Sequence, residues 1–468
     1  MKKLLTSLIL AGFFYHISYA QDTTKIFSQK DLFWYLTNYH PVSKQAALFI
    51  KKGEFELRKT KGLLDPVLFS NVDQKQFNQQ QYFNLFSGGL TVPTWYAIDF
   101  KTGYEQNQGI NINPENKSPA SGLFFAGVSV PIGQGLLIDQ RRASIKQAEL
   151  YAQSTFAEQE LMLNNLFYEA TIEYLKWTSD YSQMELYQNA ADLAKERFTG
   201  IKQSFFGGDL PAIDTLEAFI QVQVREVSLN QAKLSYQNAT LNLSNYLWFE
   251  NNTPLEITDQ LKPPSVEQLS VEQAVTLDSL NSILETLRIN HPILQLYSFK
   301  LKQLDVERRW NTEQLKPKLN LNYNLINEPV GGDMFNGISI NNYKWGLDFS
   351  IPIFLRESRG RLGLTKIKIQ ETQFDAEVKW LELSNKIKSY YNELVALEQQ
   401  IKLFNDATAN YFTLLEAEKR KFFLGESSIF LINSRESAYV QAAIKLIELK
   451  IKYQSAIAEF KLAGAARL

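Results

Sequence analysis

Two periods run along this chain, and they alternate. In short stretches apolar and polar residues exchange every second position. Leu319, Leu321, Tyr323 and Leu325 stand against Asn320, Asn322 and Asn324, and Trp345, Leu347, Phe349 and Ile351 against Gly346, Asp348 and Ser350. In the first half, Phe124, Ala126, Val128 and Val130 alternate with Phe125, Gly127 and Ser129. Tyr96, Ile98, Phe100 and Tyr104 alternate with Ala97, Asp99, Lys101 and Gly103. Period two with one polar face predicts strands of a soluble sandwich or of a membrane barrel with a wet lumen. Elsewhere the period is helical. From Ile145 a seam runs through Ala148, Ala152, Phe156, Gln159, Leu163, Leu166, Ala170, Tyr174, Trp177, Tyr181, Met184, Tyr187, Ala191 and Ala194 to Phe198. That spacing averages about 3.5 residues per step, the coiled-coil value. A helix over 140–204 is about 95 Å long at 1.5 Å per residue, too long for the inside of one compact domain.

The layout occurs twice. "NYHPVSKQAALFIKKGEFELRKTKGLLDP" resembles "INHPILQLYSFKLKQLDVERRWNTEQLKP", with His40-Pro41 matching His291-Pro292, and each copy runs 25 residues from its first proline to its last. A proline suits a helix's first turn, where its missing N–H has no partner to lose. Each copy therefore reads as a proline-started helix, with the histidine in a capping or packing role rather than as a ligand or base. Strands, a very long helix, a break and a return helix follow. The expected organisation is a first repeat over 21–250, with strands in 66–131, a long helix at 140–204 and a tip at 205–211. A Pro-rich linker covers 251–268. The second repeat covers 269–468, with strands in 317–353, a long helix at 358–423 and a tip at 422–428.

The prolines and glycines mark where one period gives way to the other. In "VSVPIGQG", Pro131 ends a strand ladder because it has no donor, and Gly133 and Gly135 permit the bend into the helix. Pro352 in "FSIPIFLRESRG" matches Pro131. Open strand edges are forbidden in lipid, and a few strands cannot close on themselves. Both difficulties vanish if several chains share one barrel and continue it as a tube of helices.

Composition narrows the function. Lys+Arg is 49 and Asp+Glu 50, for a net charge of −1, so no general attraction to nucleic acid follows. Zero cysteines exclude disulfides, thiolate metal sites, a cysteine nucleophile and an amino-terminal lipidated cysteine. No nucleophile–base arrangement, phosphate loop or metal-spaced cluster stands out, so no enzyme and no cofactor is expected. "MKKLLTSLILAGFFYHISYAQ" reads as a signal peptide over 1–20: a basic start, an apolar run too short to span a bilayer, and a small-x-small site. The mature chain is then exported, with a net charge of −3 once Lys2 and Lys3 are lost.

The signal peptide, the duplicated order, the G-x-x-x-P strand end at Gly127–Pro131 and the F-F-x-G-[DE] turns at 205–209 and 422–426 resemble the TolC-like outer-membrane efflux protein family. The resemblance spans about 28–463. It implies mainly α structure with transmembrane β: a homotrimer, four strands per chain in a twelve-stranded outer-membrane barrel, and a tunnel of coiled-coil-like helices in the periplasm. It implies a passive exit duct working with a periplasmic adaptor protein and a proton-driven or ATP-driven inner-membrane transporter. Drugs and small toxic molecules, or a secreted protein, are the classes of cargo. The tips would dock the adaptor through Phe205, Phe206, Gly208, Phe422, Phe423 and Gly425. Asp209, Asp214, Glu217 and Glu426 would be charges at the entrance, although acids there equally offset the dipole of a helix start.

The sequence departs from the family in two places. Family members often carry an arginine and aspartates after the second-tip glycine, where this chain has Ser427, Leu431 and Ser434. Pro66 to Pro131 spans 65 residues against 35 from Pro317 to Pro352, so the first half has room for an extra strand pair or a longer outer loop. Trp95, Tyr96, Tyr343 and Trp345 near strand ends suit an aromatic girdle. Arg141 and Arg142 suit either a headgroup grip or a solvated helix start. The competing reading is a secreted or surface binding protein: a soluble β-domain on coiled-coil stalks.

Overall fold

The computed structural model describes residues 25–258, 260–268, 277–329 and 338–465. The expected signal peptide lies outside them. Eight helices and a six-stranded sheet account for most of these residues. In chain order they are α1 (Gln29–Asn38), α2 (Pro41–Lys61), β1 (Val67–Phe77), β2 (Gln80–Pro93), β3 (Asp99–Gln108), β4 (Leu123–Pro131), α3 (Gln140–Gly207) and α4 (Ala212–Ser244). Then come α5 (Leu277–Asn290), α6 (Pro292–Glu313), β5 (Lys318–Asn327), β6 (Tyr343–Ser350), α7 (Arg356–Phe423) and α8 (Ile429–Ala463). The helices and the curled sheet are those of the expected fold class. Among the described residues no helix is long and apolar enough to cross a membrane.

The chain forms two compact units, and each takes segments from both sequence repeats. Of the described residues, one comprises 25–37, 173–258, 260–268 and 403–451; the other comprises 38–172, 277–329, 338–402 and 452–465.

The second unit holds the sheet. Its order is β6-β5-β4-β3-β2-β1, and every neighbouring pair is antiparallel. Six strands replace the expected four. The longer first half supplies the difference, forming a strand pair rather than a loop: β1 and β2 meet through a tight turn with Asn78 and Gln79 at positive φ. Two positive-φ residues are what a two-residue turn between twisted strands requires.

The same unit shows why α2 and α6 begin where they do. His40 Nδ1 accepts from the Val42 N–H and His291 Nδ1 from the Ile293 N–H, each at 3.2 Å, one residue before the proline. The His291 ring also joins α6 to the end of α8, its Nε2–H donating to the Ala463 carbonyl at 3.2 Å. Both imidazoles are therefore N-caps, an acceptor role that needs the neutral ring. Further along, a Cβ at Gly53 would lie 2.9 Å from Ala152 Cα and 3.0 Å from Thr155 Cγ2. This close passage of α2 over α3 buries the small Ser154, Thr155 and Ala157 and turns Phe156 outward, 59% exposed. Phe156 is thus the one seam position read from sequence that faces solvent.

In the first unit the seam closes on aromatic packing. Trp177 is fully buried, and its indole N–H donates to Thr240 Oγ1 at 3.0 Å. Phe27 meets it edge-on at 6.3 Å and Tyr236 stacks at 6.4 Å. Tyr174 donates its hydroxyl to the Phe27 carbonyl, and burial, with Asp31 adding to it, pushes its pKa well above the usual range.

Candidate functional site: a one-sided sheet, its junction and two helix tips

The sheet register assigns every strand residue to a face. Row by row, Val92–Phe100–Val128–Tyr323–Trp345 lie directly across from one another, as do Leu68–Leu90–Thr102–Ala126–Leu325–Tyr343. One face therefore collects Leu68, Val72, Phe86, Leu90, Val92, Phe100, Val128, Leu321, Leu347 and Phe349. The charged strand residues are Asp73, Lys75, Asp99, Lys101, Glu105, Lys318, Lys344 and Asp348, and the same register places each of them on the opposite face. Asn320, Asn322 and Asn324 join them, with Asn322 Nδ2 donating to Asp348 at 2.9 Å.

The uncharged face is open: Leu68 is 81% and Trp345 61% exposed. A soluble sandwich would have a second layer there. Tyr323 and Tyr343 stack at 5.8 Å on this face. Trp95 and Tyr96 lie in the turn between β2 and β3, Tyr96 strongly exposed.

Where the sheet gives way to α3, the backbone turns at Pro131, Gly133 and Gly135. Pro131 is the last residue of β4, opposite Asn320. The Ile132 N–H donates to the Leu319 carbonyl at 2.7 Å and the Gln134 N–H to Pro317 at 2.8 Å. A Cβ at Gly133 would fall 2.3 Å from the Pro317 oxygen, so only glycine fits, and Gly135 turns the chain at φ +97°. Asp139 caps α3 by accepting from the Arg142 N–H at 2.8 Å. Arg141 reaches Asp99 at 2.8 Å and Asp139 at 3.2 Å, and Arg142 binds Asp139 and the carbonyls of Gly135 and Leu136. Burial opposes the charge on Arg141, yet Asp99 and Asp139 hold its pKa above its ordinary value. These arginines are not a solvated helix start; they fasten helix to strand. At the second junction, Pro352 follows β6, and Leu355, with φ +49°, precedes α7.

The two helix tips lie in the first unit and repeat each other bond for bond. After α3, the Gly208 N–H donates to Phe205 O at 3.0 Å and the Asp209 N–H to Ser204 O at 2.9 Å. After α7, the Gly425 N–H donates to Phe422 O at 3.0 Å and the Glu426 N–H to Lys421 O at 2.9 Å. Both are Schellman caps, with φ +87° at Gly208 and +77° at Gly425. Beneath them Ile201, Ala218, Leu415, Ile429 and Ile432 form one buried cluster, against which Phe198, Leu210 and Phe422 pack. Phe206 and Phe423 point away from it, 75% and 85% exposed.

The candidate acids divide. Asp209 and Glu426 follow their glycines and are exposed. Asp214 is half-buried in the first turn of α4, where it offsets the helix dipole. Glu217 is half-buried and accepts from Asn433 Nδ2 at 3.5 Å. At the departures from the family pattern, Ser427 donates to Glu418, while Leu431 and Ser434 are exposed.

Sequence reading missed a buried polar knot behind the tips. Arg197 of α3 binds Glu436 of α8 at 2.7 Å and Asn433 at 3.0 Å, and Arg225 of α4 donates to Ser437 at 2.9 Å. Glu436 and Arg225 are almost wholly buried. Burial pulls the Arg225 pKa down while Glu436 pushes it back up. The sequence gives no sign of it, because the charged residues lie far apart along the chain and on helix faces that also carry polar residues such as Asn433 and Ser437. Among the described residues no cluster of metal-ligating side chains occurs.

No protein-family model and no curated protein matches the chain. Solved structures do. The Campylobacter jejuni CmeC outer membrane channel aligns with TM-score 0.65 and 14% identity, over 93% of this chain and 85% of that one. The open state of the Neisseria gonorrhoeae MtrE outer membrane channel aligns with TM-score 0.68 and 12% identity, over 94% and 89%. The Vibrio cholerae outer membrane protein VceC aligns with TM-score 0.64 and 12% identity, over 94% and 96%. The chain has the fold of these channels, and the resemblance read from the sequence holds at that level.

Proposed function

We propose that this chain is the outer-membrane exit duct of a tripartite efflux or secretion system. Three copies of it stand in the outer membrane and extend into the periplasm. The helix tips meet a periplasmic adaptor, and an inner-membrane transporter supplies the energy. The observation that carries this reading is the partition of the sheet: charges on one face only, and an open uncharged face across all six strands. A lipid-facing wall around a wet lumen requires that division. The fold shared with outer-membrane channels supports it.

In this reading Phe206 and Phe423 are the foremost docking side chains, because they are the most exposed of the tip aromatics, with Phe205 half as exposed. Asp209 and Glu426 contribute entrance charge, and Asp214 serves its helix. Nothing in the duct acts on its cargo, so substrate choice rests with the transporter. The competing stalked binding protein would need its apolar sheet face covered. The test is conductance: purified mature protein in planar bilayers gives discrete current steps if it is a duct, and none if it is a soluble scaffold.

A further inference from the structure

We propose that the wall closes by β6 of one copy pairing with β1 of the next, so that each chain contributes all six strands. A ring of three copies then carries eighteen strands, six from each chain, rather than the twelve that the family resemblance implies. The inference rests on the duct reading and adds the partner surface: a second copy of this chain at two named strand edges.

Three observations carry it. The first is the sense of the edges. Each of the five pairings reverses direction, so β6 and β1, at opposite ends of the sheet, run in opposite senses. Head-to-tail contact between copies therefore makes an ordinary antiparallel ladder, and such a contact can close into a ring. Unpaired edges as long as Val67–Phe77 and Tyr343–Ser350 are not tolerated in lipid.

The second is that the added hairpin is part of the wall. β2 pairs with β3 without interruption from Asn84↔Gln108 to Pro93↔Asp99. Gly89 lies directly opposite Gly103, and a Cβ on Gly89 would meet Gly103 Cα at 2.8 Å. The Phe125 ring covers Gly103, where a Cβ would meet it at 2.7 Å. Paired glycines under an aromatic ring let a sheet curve tightly without losing pairing. A β3 edge, as in a four-strand contribution, would require this ladder to open.

The third is chemical. β2 carries no charged residue, and both charges of β1, Asp73 and Lys75, share the face of Asp99 and Lys101. A hairpin outside the wall has no reason to keep that alternation, whereas a wall strand must.

The native chain has no cysteine, so introduced thiols report without background. Full-length protein would carry one cysteine in β6 (Lys344→Cys, Gly346→Cys or Asp348→Cys) and one in β1 (Asn71→Cys or Asp73→Cys), in every combination. A second set would pair the β6 positions with β3 (Lys101→Cys or Glu105→Cys). All these positions face the charged side. After oxidation in the outer membrane, denaturing gels without reductant should show covalent multimers for at least one β6/β1 combination. The β6/β3 combinations should run as single chains. Multimers from β6/β3, or none from any β6/β1 combination, overturn the six-strand wall. Conductance of the same preparations separates the two readings, since current steps with β6/β3 cross-links would keep the duct and discard only this closure.

Discussion

At the scale of single residues, glycine and histidine do the most specific work. Gly208 and Gly425 sit at positive φ with open space around a would-be Cβ, so alanine there meets only backbone strain. Gly208→Ala or Gly425→Ala should cost about 1–2 kcal/mol, seen as a lowered unfolding midpoint of the detergent-solubilised protein. Gly53 is the converse: it lies in a helix with ordinary backbone, but Ala152 and Thr155 are already in the way. Gly53→Ala should lower the same midpoint despite its better helix propensity. His291 is held neutral. Burial lowers its pKa below 6.5, outweighing the bond to Ala463. Its folded pKa is below its unfolded one, so its contribution is full above about pH 6.5 and declines as pH falls below that. His291→Asn, which still caps, should flatten that part of the stability profile. The knot at Glu436 is a further case. Glu436→Gln leaves Arg197 without its buried counter-charge and should cost about 3–5 kcal/mol. None of the knot was legible in the sequence, because residues 197, 225 and 436 are brought together only by the packing of three helices. The histidine caps were legible, because the motif repeats with its proline.

At the scale of elements, the seam and the strand faces could be read because each obeys a simple period. Trp177 and Tyr174 are buried as the 3.5-residue period requires. Phe156 fails because a glycine on another helix selects small neighbours, which no period records. Trp177→Ala should lose about 3–5 kcal/mol, while Phe156→Ala should leave the unfolding midpoint almost unchanged. Alternation marked the faces of β3 to β6 but missed β1 and β2 altogether. Both faces of β2 carry apolar side chains, Phe83 and Leu85 standing opposite in sense to Phe86 and Leu90, so no clean alternation marks it. The face assignment is testable by charge. Leu347→Asp places a carboxylate on the uncharged face and should sharply reduce the protein recovered in outer membranes. Asn324→Asp, on the other face and directly across from Lys344, should leave that yield unchanged.

At the scale of the whole molecule, the fold class was legible because helices of this length and strands with one wet face leave few architectures that bury both. The strand count was legible only in part: the longer first half left room for a strand pair or an outer loop, and neither strand of the pair has the clean alternation that would decide between them. If the one-sided sheet is the wall of an aqueous pore, the protein must conduct. The direct measurement is single-channel conductance of the purified mature protein in planar lipid bilayers, with its oligomeric mass in detergent taken on the same sample. A pore wall predicts a closed oligomer of three chains and discrete current steps whose ion selectivity shifts in Glu426→Ala. A monomeric or dimeric protein that stays soluble without detergent and never carries current would contradict it.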